Sequence, residues 1–348
     1  MNTPIRTAIV GFGSVAEKMH APLITVCQDL DLVAVVERKT NKSQNKYPSV
    51  TIYRSLEELL EHGDVDLVVI TTPNTFHFSM AKQCLEAGKH VVVDKPITIF
   101  SHEAEELQAL AEKSGKICSV FQNRRFDGDI MTIQKLIEEN ILGDLVYLES
   151  HFDRFRPELS GNWREEAGPG NGVTYDLGSH LLDQVVMIFG NPDSIQADIQ
   201  KQRKGAMADD HFDIVLHYTG FKARVTAGTL VNAPTPKYLL LGQNGSYQKF
   251  GMDVQEQAFK EGILPEGETW GVEPEENWGK VFLSSETFSY PSIPGDYRIL
   301  YSNVANAILN GSPLKVTIPQ TISVLKMIEA SFLSSKEKRT ISQTEGKW

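Results

Sequence analysis

A chain of 348 residues, 41% of them hydrophobic and with a slightly negative mean hydropathy, can bury a sizeable core and divide into about two domains. Its longest apolar runs, such as Val65–Ile70 and Val91–Val93, fall far short of a membrane helix, and a formal charge of −11 without a Lys/Arg-rich tract argues against a nucleic-acid partner. Cys27, Cys84 and Cys118 are odd in number, widely spaced and set among apolar neighbours, so buried thiols are expected rather than a disulfide framework or a zinc site. The first residues lead into a strand-like run without the basic start and long apolar stretch of a secretory signal, which makes the cytosol the expected location.

From Arg6 to about Phe121, short β-branched runs alternate with helix-like segments, the pattern of a parallel sheet covered by helices. Strands are expected to end at Gly11, Glu37, Thr71, Val93 and Phe121. Ser55-Leu56-Glu57-Glu58 has the form of a capping box opening a helix, and Gly88 and Gly115 sit where helices should stop. Five strands with helical crossovers give a doubly wound α/β domain over residues 1–122.

After another helix-like stretch, Ile130–Asn140, longer strands appear at Leu145–Phe152, Asp213–Tyr218 and Tyr238–Leu241, with Asn244-Gly245 as a tight turn into Ser246–Phe250. Residues 123–348 are therefore expected to form an α+β domain with an open, largely antiparallel mixed sheet. Gly251–Pro294, rich in Gly, Pro and Glu, is expected to be an ordered surface excursion.

Gly11-Phe12-Gly13-Ser14-Val15-Ala16 is a G-x-G-x-x-A element placed directly after a strand and opening a helix. Glycines there admit a pyrophosphate, and the helix N-terminus offers free N–H groups. Glu37 falls at the end of the second strand, where an acid binds the ribose of a dinucleotide. Arg38 and Lys39 follow it. The acid favours NAD, whereas Arg38 can pair with the 2′-phosphate of NADP; the reading leans to NADP with NAD as the alternative, and a solvated charged turn would look the same.

Thr71-Thr72-Pro73-Asn74 and Asp94-Lys95-Pro96 follow the third and fourth expected strands on their carboxyl side, where open parallel sheets bind ligands. Lys95 suits the stabilisation of alkoxide charge, or is a surface lysine. In the second domain Tyr175 to Asp183 opens a helix, and Asp176, His180 and Asp183 share one face. An acid one turn from an imidazole suits general acid/base work, although a His satisfied by its own helix has the same pattern. Asp209-Asp210-His211 reads as a solvated turn rather than as ligands, and no metal is expected. Gln122-Asn123-Arg124-Arg125-Phe126-Asp127 and Phe152-Asp153-Arg154-Phe155-Arg156-Pro157 mix arginines with aromatics and amides, fitting either a polyhydroxylated ligand or interdomain salt bridges.

Together the G-x-G-x-x-A turn, the T-P-N-x-x-H run from Thr72 through Pro73 and Asn74 to His77, Asp94-Lys95-Pro96 and D-x-G-x-H-x-x-D from Asp176 to Asp183 resemble the Gfo/Idh/MocA oxidoreductases over nearly the whole chain. Within that family the Ser119–Arg125, His151–Pro157, Trp163-Arg164-Glu165 and Gly245–Gly251 segments are most similar to the NADP-dependent scyllo-inositol 2-dehydrogenases. The resemblance implies that Lys95, Asp176 and His180 form the catalytic set, with His180 as proton acceptor. It also implies cofactor contacts from Gly11–Ala16, Glu37, Arg38, Thr72, Pro73, Asn74, His77 and Lys95. Asn123, Asp153, Arg154, Trp163 and Tyr175 are the candidate substrate residues. Asp94 stands where many members carry Glu. The implied partners are a polyol or sugar and further copies of the chain, as homodimer or homotetramer. Two rivals share the scaffold: a non-catalytic cofactor-binding sugar sensor, and a cofactor-assisted glycosidase.

Overall fold

The structure, a computed structural model, describes residues 3–348. Its first sheet contains β1 (Ile5–Val10), β2 (Leu30–Val36), β3 (Thr51–Tyr53), β4 (Leu67–Ile70), β5 (His90–Asp94) and β6 (Cys118–Phe121). All pair in parallel in the order β3-β2-β1-β4-β5-β6, which reverses direction at β1 as in dinucleotide-binding folds. The crossovers carry α1 (Ala21–Val26), α2 (Lys42–Lys46), α3 (Leu56–His62), α4 (His77–Glu86) and α5 (Ser101–Ser114). With both faces covered, Val68–Ile70, Val91–Val93 and Val120 are completely buried, which is why these strands read as unbroken apolar runs. On α4 the buried residues are His77, Ala81, Cys84 and Leu85, one helical stripe, so Cys84 is core; Cys27 and Cys118 are buried as well.

The expected strand ends lie within a residue of those observed, but the sheet has six strands rather than five. The extra strand, β3, is three residues at the sheet edge with Thr51 exposed, too short and too wet to give a period-2 signal. Ser55 Oγ accepts from Glu58 N at 3.1 Å as a cap should, whereas the Glu58 carboxylate takes Arg54 N rather than Ser55 N. Gly88 and Gly115 stop their helices with positive φ.

The second sheet contains β7 (Leu145–His151), β8 (Ser194–Gln200), β9 (His211–Tyr218), β10 (Phe221–Gly228), β11 (Tyr238–Gly242), β12 (Gly245–Lys249), β13 (Gly279–Leu283), β14 (Thr287–Tyr290) and β15 (Ile341–Ser342). Its order is β14-β13-β12-β11-β7-β10-β9-β8-β15, antiparallel except for β7 beside β10. Side chains of β7 and β11 pack on α6 (Gly128–Glu138) and α7 (Ser179–Phe189): Leu148, Ser150 and Tyr238 meet Ile130, Leu181, Val185 and Ile188. Tyr238 donates to Gln184 Oε1 at 2.8 Å, and Gln184 donates to the Arg124 carbonyl at 2.8 Å.

Two expectations change in this region. The β11–β12 turn is tight, but its central residues are Gln243-Asn244, because Leu241 pairs with Ser246. Gly245 is needed for space instead: a Cβ there would lie 2.5 Å from the Phe282 carbonyl oxygen. Gly251–Pro294 is no mere excursion, since it holds a helix, Val254–Glu261, and strands β13 and β14.

The chain forms two compact units. One runs to Asn123 and takes in Gln255–Trp270 and Asp296–Thr321; within it Trp270 packs edge-on against Phe259 at 5.1 Å, and Phe259 stacks on Tyr297 at 5.9 Å. The other comprises Arg124–Val254, Gly271–Gly295 and Ile322–Trp348. A deeply buried ion pair within it joins Arg125 to Asp183, bidentate at 2.7 and 2.6 Å with each side chain 2% exposed. Asp183→Ala removes the carboxylate partner of a buried guanidinium and is expected to lower unfolding free energy by about 3–5 kcal/mol. Equilibrium denaturation checks this, and a loss below about 1 kcal/mol, the scale of an exposed pair, would contradict it.

Candidate active site

In the first unit, β1 delivers the chain into Gly11-Phe12-Gly13, and the helix begins at Ser14. Gly11 has φ +88°, and a Cβ on it would lie 3.3 Å from Thr72 Cγ2 and 3.4 Å from the Thr71 carbonyl oxygen, so its glycine is dictated by the fold. Gly13 is different. A Cβ there meets no atom within 4 Å, and its φ is not positive, so nothing in the chain itself calls for glycine. The open side at Gly13, in front of a helix N-terminus, is the space a pyrophosphate requires, and the residues present fit a dinucleotide. Phe12 meets the edge of Tyr47, Val15 is half-buried, Ala16 is buried and Ser14 is exposed.

Glu37 lies one residue past β2 and is buried. Its Oε1 accepts from Ser43 N at 2.8 Å and Ser43 Oγ at 2.6 Å; its Oε2 accepts from Lys42 N at 3.0 Å and from Thr40 Oγ1. A carboxylate offers about four acceptor positions, and the 40–43 loop fills them. Burial alone would raise the Glu37 carboxyl, but these bonds hold it below its usual range. Arg54 ties the same loop down by donating to the carbonyls of Glu37 and Thr40 at 2.9 and 2.8 Å. Arg38 and Lys39 remain exposed beside it.

The turns after β4 and β5 are joined by one buried side chain. His77 Nε2 lies 2.8 Å from the Thr72 carbonyl, and its Nδ1 lies 2.7 Å from the Pro96 carbonyl. Thr71 Oγ1 donates to the Gly11 carbonyl at 2.7 Å, so the glycine turn, the Thr72-Pro73-Asn74 turn and the Asp94-Lys95-Pro96 turn form one hydrogen-bonded assembly. Asn74 is buried and opens the 3₁₀ turn that leads into α4. Asp94 Oδ1 accepts from Lys95 N at 2.8 Å, and His20 Nε2 sits 3.8 Å from it. Burial would raise the Asp94 carboxyl; His20, His77 and Lys95 around it hold it below its usual range. Lys95 itself is half-buried.

In the second unit, Thr174–Gly178 is a π-helical turn running into α7. The π turn puts Asp176 and His180 at the start of a helix whose further residues are core, and such turns recur at functional sites. His180 is 6% exposed and Asp176 opens onto a cavity of about 200 Å³. Asp209 builds this turn: its Oδ2 accepts from Thr174 N at 2.8 Å and Thr174 Oγ1 at 2.7 Å, and burial raises its carboxyl. A Cβ on Gly172 would lie 2.0 Å from Asp209 Oδ1. Asp209-Asp210 is therefore not the solvated turn expected; Asp210 is buried and pairs with Arg203 at 3.0 Å.

The cavity is polar and mixed in charge. Arg154, Arg164, Ser160, Asn162, Asp176 and Thr229 are among its lining residues. Of the expected substrate residues, Arg154 lines it, with its guanidinium over Phe152 at 4.9 Å. Asp153 is engaged locally, pairing with His151 Nδ1 at 2.9 Å and accepting from Thr235 Oγ1 at 2.8 Å and Gly228 N at 3.1 Å. Tyr175 is buried and stacks on Phe332 at 5.9 Å, Trp163 lies under the Arg164 guanidinium at 4.5 Å, and Asn123 is buried at the end of the first unit. Sequence reasoning missed Asn162, Asp209 and Thr229 as cavity residues; Arg164 carried a signal in the Trp163-Arg164-Glu165 segment. Among the described residues no group of His, Cys, Asp or Glu is arranged to hold a metal ion, and no helix is long and apolar enough to cross a membrane.

The contrast between the two glycines is testable. Gly13→Val is expected to leave the thermal midpoint within about 2–4 °C of wild type, the equivalent of 1 kcal/mol, while weakening nicotinamide dinucleotide binding by tenfold or more, about 1.4 kcal/mol. Unchanged affinity in fluorescence titration would contradict a pyrophosphate at Gly13.

Comparison with known proteins agrees with this geometry along the chain. Residues 5–122 match the family model described as the oxidoreductase family, NAD-binding Rossmann fold, and residues 134–342 match the oxidoreductase family, C-terminal alpha/beta domain. A scyllo-inositol 2-dehydrogenase (NADP(+)) of Bacillus subtilis is 36% identical over 97% of this chain and 95% of its own length. An uncharacterized oxidoreductase of Escherichia coli, YdgJ, is 38% identical over 98% of this chain and 99% of its own. The solved structure of yvaA from Bacillus subtilis shares 36% identity and a TM-score of 0.95, covering 98% of each chain. With a six-stranded parallel sheet, a mixed nine-stranded sheet and both family models matched, the chain belongs to the Gfo/Idh/MocA family of NAD(P)-binding oxidoreductases.

Proposed function

We propose that the protein is a cytosolic NADP-dependent dehydrogenase that interconverts a secondary alcohol and a ketone on a cyclic polyol or sugar, with scyllo-inositol as its leading substrate and a homodimer or homotetramer as its working form. The observation that carries this reading is Asp176, on its π-helical turn beside His180, opening onto a polar cavity with Arg154, Ser160, Asn162 and Thr229. Closely spaced donors and acceptors of both charges suit vicinal hydroxyls, which each donate and accept. The similarity to the Bacillus subtilis scyllo-inositol 2-dehydrogenase supports the substrate, and the placement of Lys95, Asp176 and His180 in one catalytic set rests on the family resemblance.

Bound nicotinamide supplies the hydride acceptor or donor. In the oxidative direction Asp176 accepts a hydrogen bond from the reacting hydroxyl and fixes its orientation, Lys95 stabilises negative charge growing on its oxygen, and the imidazole of His180 takes its proton. The carbon–hydrogen bond breaks as hydride leaves, and the ketone remains. NADP is favoured because Glu37 spends its acceptor positions on Thr40, Lys42 and Ser43, which leaves it poorly placed to grip a ribose diol, while Arg38 is exposed at the same strand end.

The test is reduced-nicotinamide absorbance with NADP and NAD in parallel against inositols and aldoses. Turnover of one of them with NADP is expected, and His180→Ala is expected to lose roughly 10²-fold or more in turnover while cofactor binding survives. Unchanged turnover removes His180 as the base. Arg38→Ala is expected to weaken NADP selectively, and equal losses with both cofactors contradict its role. Cofactor binding without turnover points to a sensor, and free sugar released with no net change in reduced cofactor points to a glycosidase.

A further inference from the structure

We infer that Arg164 is a positioning residue that fixes the Asp176 carboxylate, an assignment that rests on the reading of Asp176 as the group orienting the reacting hydroxyl. Arg164 Nε lies 3.5 Å from Asp176 Oδ1, with the two side chains 38% and 26% exposed. An ion pair this accessible is normally weak because two flexible side chains must be ordered to form it. Here the ordering is done by the rest of the loop. The guanidinium is stacked on the Trp163 ring at 4.5 Å. The Arg164 backbone N–H donates to Asn162 Oδ1 at 3.1 Å, and its carbonyl accepts from Gly172 N at 2.9 Å. The next residue, Glu165, is anchored on both sides, accepting from Ser160 Oγ at 2.9 Å and pairing with Arg203 at 2.9 Å. Gly172 in turn admits no side chain beside Asp209, the residue that builds the turn carrying Asp176. The arginine and the aspartate are thus presented to each other by two ends of one hydrogen-bonded segment.

Among the other arginines at the cavity wall, Arg203 is spent on Asp210 and Glu165, and Arg154 lies over the Phe152 ring. Arg164 is spent on Asp176. A planar guanidinium beside a carboxylate narrows its rotamers. An ionised carboxylate only accepts, so a substrate hydroxyl must donate to Asp176, and its direction is set before any proton moves. Lysine keeps the charge but loses the planar stacking on Trp163 and the directed Nε–H, so it is a partial replacement.

The experiment compares wild type, Arg164→Lys and Arg164→Ala in steady-state kinetics on the turned-over polyol, with NADP affinity and thermal midpoint as controls for folding. Arg164→Ala is expected to lose about 10²-fold in kcat, the cost of a misoriented reacting group, with KM for the polyol changed by only a few fold. Added guanidinium ion is expected to restore part of kcat in Arg164→Ala and none in wild type, and Arg164→Lys falls between. Crystal structures of wild type and Arg164→Ala provide a readout that needs no substrate: the Asp176 carboxylate is expected to leave its wild-type position. A folded Arg164→Ala protein with wild-type kcat, or an unmoved Asp176, overturns the assignment. If Arg164→Ala does not fold, wild-type kcat in Arg164→Lys overturns it and a reduced kcat supports it. If wild type turns over no polyol, the proposed function falls, and the position of Asp176 alone decides the role of Arg164.

Discussion

The cofactor-side architecture depends on one buried imidazole. His77 sits at the first turn of α4 with carbonyl oxygens against both ring nitrogens, one from the Thr72-Pro73-Asn74 turn and one from the Lys95-Pro96 turn. Loops after parallel strands carry backbone polar groups that the sheet cannot satisfy, and at a buried switch point something else must. His77 sets a ring nitrogen against a carbonyl of each of two loops, and Thr71 extends the assembly to Gly11. Lys95 is therefore presented by a strand end whose neighbours are fixed on either side. Family recognition places His77 among the cofactor contacts, whereas the hydrogen bonds give it an architectural task as well.

The second unit solves the same problem differently. Asp176 must face the cavity from the start of a helix whose further residues are core. The π turn over Thr174–Gly178 achieves this, and Asp209, held half-buried against Thr174 where Gly172 leaves room for it, fixes where the turn begins. Further along, Asp183 is removed from chemistry by Arg125 and serves packing instead. Two acids on one short motif and a third from a distant segment thus have three fates set by their surroundings: Asp176 faces the cavity, Asp183 is locked in the core, and Asp209 is a scaffold.

How much of this was legible in the sequence follows from how local each signal is. Strands β4 and β6 are buried along their length and β1, β2 and β5 nearly so, and mostly apolar runs announced them, while β3 had too few residues to do so. The glycine turn was legible because its geometry is local. The engagement of Glu37 was not, because its partners lie three to six residues downstream in a loop whose conformation no periodicity encodes. Asp209 and Asp210 looked like a wet turn, but Asp209 is half-buried and Asp210 buried because Thr174, 35 residues away, and Arg203, 7 away, donate to their carboxylates. Asn244-Gly245 signalled a hairpin correctly but misplaced its centre, since Gly245 is required by the approach of the Phe282 carbonyl rather than by turn dihedrals.

The central claim is that hydride passes directly between a polyol carbon and the nicotinamide in a site built around Asp176 and His180. Its most direct test is isotopic: scyllo-inositol bearing deuterium on its ring carbons, incubated with the protein and NADP, followed by mass spectrometry of the reduced cofactor. The account predicts reduced cofactor heavier by one deuterium, with the label at nicotinamide C4. Reduced cofactor formed without label would contradict it.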